Sequence, residues 1–332
     1  MKCLTLTALK TPLELQERAD LTPGPGEVVV QLKAAALNRR DYWMTLGMYP
    51  GIELPCVLGS DGAGVVTKCG EGVDAVWENR DVIFDPGMDW GDNPAVQDVK
   101  YNIVGMPTDG TFATEVIVQS SQLHARPEHL SWNESAALPL AGVTAYRAVL
   151  TQGRLQPGET VLITGIGGGV ATCAMQFAVA AGAKVWVTSS SSAKIDRAVE
   201  LGAQGGFDYT DDGWWKQMAK VVGAPDLIVD SAGGPGYRSL LSLAAAGGRV
   251  VNYGVTVGPP EKLDLFKLFW KQLQLIGSTM GSPADFTAML ELVNVKQIRP
   301  VVDAVFPLED GNAAISQMAT SPQFGKYVLT ND

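Results

Sequence analysis

Histidine is scarce in this sequence: of 332 residues only His124 and His129 carry an imidazole, and both sit in a polar stretch that reads as surface rather than as a ligand set. Cysteine is almost as rare. Cys3, Cys56, Cys69 and Cys173 lack paired spacing, which excludes a disulfide framework and points to reduced thiols in a cytoplasmic protein. Cys173 reads most simply as a small core residue. No apolar run approaches the roughly 18 to 20 residues that a membrane span requires. The formal net charge of −10, which no run of Lys or Arg contradicts, argues against a nucleic-acid surface, so any positive site must be local. The first residues alternate like a strand and soon carry Glu14, Glu17 and Asp20, which a signal or transit peptide would avoid. Internal repeats and low-complexity linkers are absent as well.

Glycine, by contrast, is abundant, and four glycines fall within five positions: Gly165, Gly167, Gly168 and Gly169. They follow a β-rich apolar run at 161–164 and precede a small-residue amphipathic stretch that ends at Gly182, where a second β-rich run (185–187) begins. Strand, tight turn, helix and strand form the unit that cradles a dinucleotide. A helix starting near Val170 offers unpaired N–H groups and a positive dipole end to a pyrophosphate. The spacing is G-x-x-G-x-x-A (Gly165, Gly168, Ala171). Alone it is a weak signal, and its position between strand and helix strengthens it. The competing reading is a glycine-rich loop without a ligand.

The end of the second strand decides which dinucleotide is expected. An NAD site places Asp or Glu there to accept from the ribose 2′-OH, yet no acid occurs between Glu159 and Asp196. Instead come Thr188, Ser189, Ser190, Ser191, Ser192 and Lys194, hydroxyl donors followed by a cation, which suit a 2′-phosphate and predict NADP(H). A compatible alternative is that Ser192 caps the next helix while Lys194 is solvated.

The length suits two domains. Up to residue 127 the chain is β-rich, with runs at 28–32, 62–67, 82–84 and 112–118 divided by turn signals at 22–27 and 85–87. Beyond it, a helical stretch at 134–150 leads into strands at 161–164, 184–188, around Phe207, 227–230, 249–253 and 273–277. Six strands with crossovers predict a doubly wound parallel sheet in the order 3-2-1-4-5-6, an α/β fold. From 283 on, helix (285–293), strand (301–306), helix (309–319) and strand (327–329) are expected to rejoin the first domain. The apolar edge strand 273–277 would be an aggregation hazard if bare, so a homodimer paired along it is expected.

Leu-Asn-Arg-Arg-Asp (37–41), Gly-Ser-Asp-Gly-Ala-Gly-Val-Val (59–66), Asp-Gly-Thr-Phe-Ala-Thr-Glu-Val (109–116), Leu-Pro-Leu-Ala-Gly-Val-Thr-Ala-Tyr (138–146), the glycine turn and Gly-Lys-Tyr-Val-Leu (325–329) carry a resemblance. Together they resemble the medium-chain dehydrogenase/reductase superfamily, most closely its zinc-free quinone oxidoreductase-like branch, essentially end to end. The resemblance implies a GroES-like β-rich catalytic domain built from 1–127 and 283–332, a Rossmann NADP-binding domain at 128–282, and a cleft holding NADP(H). In zinc-dependent members the first ligand is a Cys where this chain has Asn38. The second is the His of a Gly-His-Glu that here reads Gly59-Ser60-Asp61, and the third falls near Leu140. The structural-zinc cysteines have no counterpart either, so no bound metal is expected. Two departures from the family pattern are Arg80 before Asp81 in place of Gly, and Ala171 in place of the third glycine.

By the same resemblance, the cofactor contacts are the turn residues Gly165, Gly167, Gly168, Gly169 and Val170, with Thr144 near the nicotinamide. Ser189, Ser190, Lys194 and Tyr209 surround the 2′-phosphate, with Lys326 as a second cation. Tyr253, Gly254, Thr279 and Met280 follow the last strands, and Asp230 ends the fourth strand at the switch point. Without a metal, hydride transfer is easiest to an acceptor whose own conjugation spreads the charge, a quinone or an α,β-unsaturated carbonyl. Tyr49 matches a substrate-facing tyrosine and is a candidate proton donor, or else a core aromatic. Asn38 is a candidate hydrogen-bond donor to substrate or ribose, or else a buried structural amide. Tyr42, Trp43 and Met48 would form an apolar wall or belong to the core, and Asp41 and Asp61 read as structural acceptors. The rivals to a quinone reductase are an alkenal or enoyl-thioester reductase of the same fold and a non-catalytic, crystallin-like NADPH-binding protein.

Overall fold

The computed structural model describes residues 1–320 and 322–331. They divide into two compact units, Met1–Ala141 with Ser282–Asp332, and Gly142–Gly281. The expected division at 127/128 thus moves. Residues 128–141 stay with the first unit because the helix Trp132–Ala137 packs on its strands.

The first stretch of chain forms β1 (Glu27–Ala36), α1 (Arg39–Thr45), β2 (Asp61–Cys69), β3 (Asp81–Phe84), β4 (Glu115–Gln119), β5 (Leu123–Ala125) and α2 (Trp132–Ala137). Short valine-rich runs bounded by Gly and Pro become strands because branched side chains pack well on a pleated surface. Val28, Val30, Leu32, Val66, Val82, Phe84, Val116 and Val118 form one buried cluster. Each such side chain contributes about 1.5–3 kcal/mol by leaving water. Helix α2 is opened by a capping box, Ser131 Oγ accepting from Glu134 N while Ser131 N donates to Glu134 Oε2. The single helix expected at 134–150 is instead three pieces: α2, Pro139–Tyr146, and a π-helical turn over Arg147–Gln152. Pro139, which has no N–H to donate, marks the first break.

The second unit contains β6 (Thr160–Ile163), α3 (Gly169–Ala180), β7 (Lys184–Ser189), α4 (Ser192–Glu200), β8 (Gly205–Asp208), β9 (Leu227–Asp230), β10 (Arg249–Asn252), α5 (Leu265–Trp270) and β11 (Gln274–Gly277). All neighbours in its sheet are parallel, and the order β8-β7-β6-β9-β10-β11 is the predicted 3-2-1-4-5-6. Continuous apolar strands such as Leu227-Ile228-Val229 are buried, as a sheet covered by helices on both faces requires. β11 is the edge strand. Immediately before it, α5 exposes Phe266, Phe269 and Trp270, with Phe266 stacked on Trp270 at 5.8 Å.

The chain then returns through α6 (Pro283–Lys296), β12 (Val302–Pro307) and β13 (Lys326–Thr330). β13 lies between β1 and β12 in the seven-stranded sheet β5-β3-β2-β1-β13-β12, with β4 also on β1, so the expected return to the first domain is met. Among the described residues no helix is long and apolar enough to cross a membrane.

Candidate active site

In the second unit the glycine turn connects β6 to α3 as the sequence predicts. Gly165 has φ +63°, a left-handed conformation that favours glycine, and its N–H donates to Thr188 Oγ1 at 3.1 Å. Gly168 is the N-cap of α3 with φ −72° and ψ 149°, and offers no side chain to the first N–H groups of the helix. A Cβ added at Gly165 or Gly168 would meet nothing within 4 Å. The helix start therefore faces open space with donors and a positive dipole end, the cradle a pyrophosphate needs.

The end of β7 carries the expected polar set. Tyr209 Oη donates to Ser190 Oγ at 3.1 Å on the surface, and Lys194 lies in the first turn of α4 after its N-cap, Ser191. Ser189 differs from expectation: it is buried, and its Oγ accepts from Ser191 N at 3.1 Å, shaping the turn. No carboxylate occupies the strand end itself. Asp208, at the end of neighbouring β8, has its Oδ1 taken by Thr210. This donor set suits a dinucleotide bearing a 2′-phosphate.

Thr144 Oγ1 and Met280 Sδ meet at 3.7 Å, bringing together two expected contacts from distant segments. Met280 itself sits at φ +45°, and Thr279 beside it is exposed. Tyr253 hydrogen-bonds through its hydroxyl to the Ser231 side chain, and burial raises its pKa. Gly254 packs close to Ser231. Asp230, at the switch point, accepts from Thr164 Oγ1 (2.6 Å), Gly233 N (2.9 Å) and Asn252 Nδ2 (3.0 Å), so it braces three strand ends.

In the first unit, Asn38, Arg40, Asp41, Ser60, Asp61 and Lys326 form one buried polar cluster. It forms because β13 runs antiparallel to β1, with Val328 opposite Ala36, which brings Lys326 beside the residues that follow β1. Lys326 Nζ donates to Asn38 Oδ1 at 2.5 Å and to Asp61 Oδ2 at 2.8 Å, and the Lys326 side chain is 5% exposed. Asp61 also accepts from Asn38 Nδ2 (2.9 Å) and from Leu140 N (2.7 Å). The expectation that Lys326 serves the cofactor phosphate is therefore corrected: its ammonium is held inside the first unit by two buried acceptors.

Asn38 caps α1, its N–H donating to Asp41 Oδ2 at 2.7 Å, while Asp41 Oδ1 has no hydrogen-bond partner. Burial pushes the Asp41 carboxyl up to about 6, against the pull of Arg40, the Asn38 N–H and Lys326. Arg40 Nη1 donates to Ser60 Oγ and to Val104 O (2.9 Å), and its Nε donates to Tyr49 Oη at 3.3 Å. The guanidinium also lies over the Tyr49 ring, 5.0 Å from its centroid. Tyr49 is thus half-buried with a hydroxyl that accepts from a cation and retains its own proton to give. Tyr42 is half-buried and packs against the core of the first unit, as the core reading expects, while Trp43 is half-buried and Met48 exposed.

Sequence reasoning missed Tyr101. Its hydroxyl is buried without a partner, and its pKa is raised by burial, then by Asp85 and Tyr49, against Arg40. It lies in the 88–106 loop, whose course no sequence periodicity discloses. Next to it Asp85 accepts from Gly87 N at 2.9 Å, and burial, with help from Asp285, pushes its carboxyl up to about 7. A folded pKa above the unfolded value favours the fold below pH 4 and loses that advantage as the pH rises through about 7. Asp85→Asn, which keeps the Gly87 acceptor, is therefore expected to stabilise the protein by about 2–4 kcal/mol at pH 8, with the gain shrinking toward pH 4. Urea unfolding at several pH values checks this, and a loss of stability at pH 8 would sink it.

Among the described residues no three of His, Cys, Asp and Glu lie close enough to hold a metal ion. At the positions where the resemblance would put zinc ligands stand the Asn38 amide, the Ser60 hydroxyl and, near the third, Leu140, whose N–H is bonded to Asp61. These residues do not fit a catalytic zinc, which takes thiolate, imidazole or carboxylate.

The chain matches two families, "Alcohol dehydrogenase GroES-like domain" over residues 24–128 and "Zinc-binding dehydrogenase" over 169–294. It is 36% identical to the zinc-type alcohol dehydrogenase-like protein YogA of Leptosphaeria maculans, over 96% of this chain and 94% of that one. A crystal structure of an NAD-dependent alcohol dehydrogenase superposes with a TM-score of 0.95 and 34% identity, covering 100% of both chains. The 2-octenoyl-CoA carboxylase reductase CinF, solved with NADP and 2-octenoyl-CoA, superposes with a TM-score of 0.89 and 26% identity, over 99% of this chain and 87% of that one.

Proposed function

Because the chain belongs to the medium-chain dehydrogenase/reductase superfamily, we propose that this oxidoreductase uses NADPH to reduce conjugated carbonyl acceptors, quinones or α,β-unsaturated carbonyls, without a metal ion. The observation that carries the cofactor choice is the acid-free end of β7, where Ser190, Tyr209 and Lys194 stand in place of the carboxylate that a ribose 2′-OH requires. The similar NAD-dependent alcohol dehydrogenase argues for the other dinucleotide, and the NADP complex of CinF argues for this one. The local chemistry of the strand end favours the phosphate.

When bound, the reduced nicotinamide supplies the hydride. The residues of this chain then position and protonate. The helix start after Gly168 would hold the pyrophosphate, and Thr144 with Met280 would border the nicotinamide. In the first unit, Tyr49, whose oxygen accepts from Arg40, would be the proton donor for an acceptor bound there. The acceptor class follows from the ligand positions: with Asn38 and Ser60 there, no strong Lewis acid is at hand to carry a localised alkoxide, and conjugation must spread the charge.

The test is a titration of NADPH against NADH, followed by turnover with a quinone, an alkenal and an enoyl-CoA. NADPH is expected to bind at least about tenfold more tightly than NADH, with Lys194→Ala removing most of that preference. Equal affinities, or a Lys194→Ala variant with unchanged preference, count against the assignment. The CinF complex favours a second reading, an enoyl-thioester reductase. Turnover confined to the CoA substrate selects it.

A further inference from the structure

Two polar groups of the first unit carry donors that the protein itself does not use. The first is Arg40, which is 7% exposed. A guanidinium has five N–H donors. Among the described residues, Nη1 donates to Ser60 Oγ and to Val104 O at 2.9 Å, and Nε to Tyr49 Oη at 3.3 Å. Both N–H groups of Nη2 remain, and no described carboxylate pairs with the cation. Arginine is almost never buried unless paired, because an uncompensated charge inside a protein is costly. The neighbouring acids do not supply the missing partner. Asp41 turns its Oδ2 to Asn38 N and is pushed up to about 6, while Asp61 is committed to Lys326, Asn38 and Leu140 N.

The second group is the Tyr101 hydroxyl, buried without a hydrogen bond. Its surroundings fix where it lies. A short hairpin pairs Gly87–Met88 with Asn102–Ile103, Arg40 holds Val104 O just beyond it, and Trp90 meets the Tyr101 ring edge-on at 5.2 Å. A Cβ added at Gly87 would come within 3.0 Å of the Tyr101 oxygen, so that side is closed to movement. The phenol, raised above all by burial, also feels Asp85, Arg40 and Tyr49, which places these groups around it. Asp85 is itself pushed up to about 7 by burial and by Asp285, so below that pH it carries little charge to oppose an anion.

We propose that Arg40, Tyr101 and Tyr49 form an oxyanion site in the first unit, which takes the oxygen of a conjugated carbonyl acceptor as that oxygen becomes negative. All three offer donors and none of those donors has an acceptor in the protein, so the missing partner is an acceptor, and beside an unpaired cation an anion. The proton donor proposed above belongs to the same group, which puts the oxygen to be protonated there as well. Reduction forms a C–H bond with the hydride of NADPH, displaces an electron pair onto the acceptor oxygen and releases NADP+. One proton from Tyr49 then completes the product, and water returns a proton to the tyrosine. A fixed cation with two hydroxyls favours the charged oxygen over the neutral carbonyl, which lowers the barrier. This role in turnover rests on the reductase reading; the binding of an oxygen anion does not.

The test uses 4-nitrophenol, a flat aromatic that imitates a quinone reduced to its anion and whose colour reports its ionisation. It is titrated into the whole chain with and without NADP+. The phenolate is expected to bind at least about tenfold more tightly than the neutral phenol. Arg40→Gln should abolish that preference. Tyr101→Phe removes a hydroxyl that bonds to nothing in the protein, so its urea midpoint is expected to equal or exceed the parent's. The same variant should lose about tenfold in phenolate affinity and in kcat with a quinone, while NADPH affinity stays within about twofold. A parent that binds phenol and phenolate alike, or neither, overturns the proposal, as does Tyr101→Phe with the parent's phenolate affinity. If the parent prefers the phenolate yet reduces no conjugated acceptor, the reductase reading fails and the oxyanion site stands. Turnover without that preference sinks the site and leaves the reductase reading intact.

Discussion

Replacing Gly168 by alanine is expected to weaken NADPH binding by about tenfold or more while the stability of the ligand-free protein changes by no more than ~0.5 kcal/mol. The backbone at this residue, φ −72° and ψ 149°, is open to any amino acid, and the new Cβ would meet no atom within 4 Å. Replacing glycine by alanine at an N-cap costs about 0.5–1 kcal/mol, and the reduced freedom of the unfolded chain offsets a similar amount. Fold stability therefore has no reason to require a glycine here. Under the proposed function a pyrophosphate against the start of α3 would, since its oxygens would need the space the methyl group would occupy. Gly165→Ala is the contrast, because φ +63° makes any side chain unfavourable there and should lower stability along with affinity. Isothermal titration together with urea unfolding of both variants separates the cases. Unchanged NADPH affinity in Gly168→Ala would remove the phosphate from this turn.

Asp61→Ala is expected to destabilise the protein by about 3–5 kcal/mol, the range for breaking a buried ion pair by deleting one partner. Three donors lose their acceptor at once, the Lys326 ammonium, the Asn38 amide and the Leu140 N–H, and the ammonium is left buried beside an amide oxygen. The loss greatly exceeds that of the exposed pair Lys2–Glu309, for which less than about 1 kcal/mol is expected. Neutralising both members, in Lys326→Met combined with Asp61→Asn, should recover much of the stability, because well-shaped neutral replacements of a buried pair are often tolerated. Chemical unfolding of Asp61→Ala and Lys2→Ala side by side measures the difference. A cost below about 1 kcal/mol for Asp61→Ala would mean that water reaches the pair.

Much of the second unit was legible because its signals are local. An apolar run followed by clustered glycines and a small-residue helix leaves little freedom, and the right-handed crossover rule then orders the strands. The missing acid after Val187 and the hydroxyls that replace it were readable for the same reason, although burial of Ser189 depends on the turn and was not. The charged cluster of the first unit resisted reading because its members are far apart in sequence: 38, 61, 140 and 326 are joined by the pairing of β1 with both β2 and β13 and by the bond from Leu140 N to Asp61. One signal was available. Lys326 opens an otherwise apolar strand, and lysine is almost never buried without a partner, so an acid or amide had to await it. The partner's identity required the fold. Tyr101 gave no signal, lying in a loop whose only pattern is its polar turn residues. The break at Pro139 could have been anticipated, since proline opens a helix readily and continues one poorly.

The placement of β13 between β1 and β12 bears on the order in which the molecule is built. As the chain leaves the ribosome, residues 142–281 are complete and have every strand of their parallel sheet before Lys326 is translated. The first unit, although begun earlier, still has an open edge on β1 and an uncompensated carboxylate at Asp61. Nascent chains stalled before residue 325 should therefore carry a protease-resistant middle and a labile beginning, and the beginning should become resistant only once Lys326–Thr330 has cleared the exit tunnel.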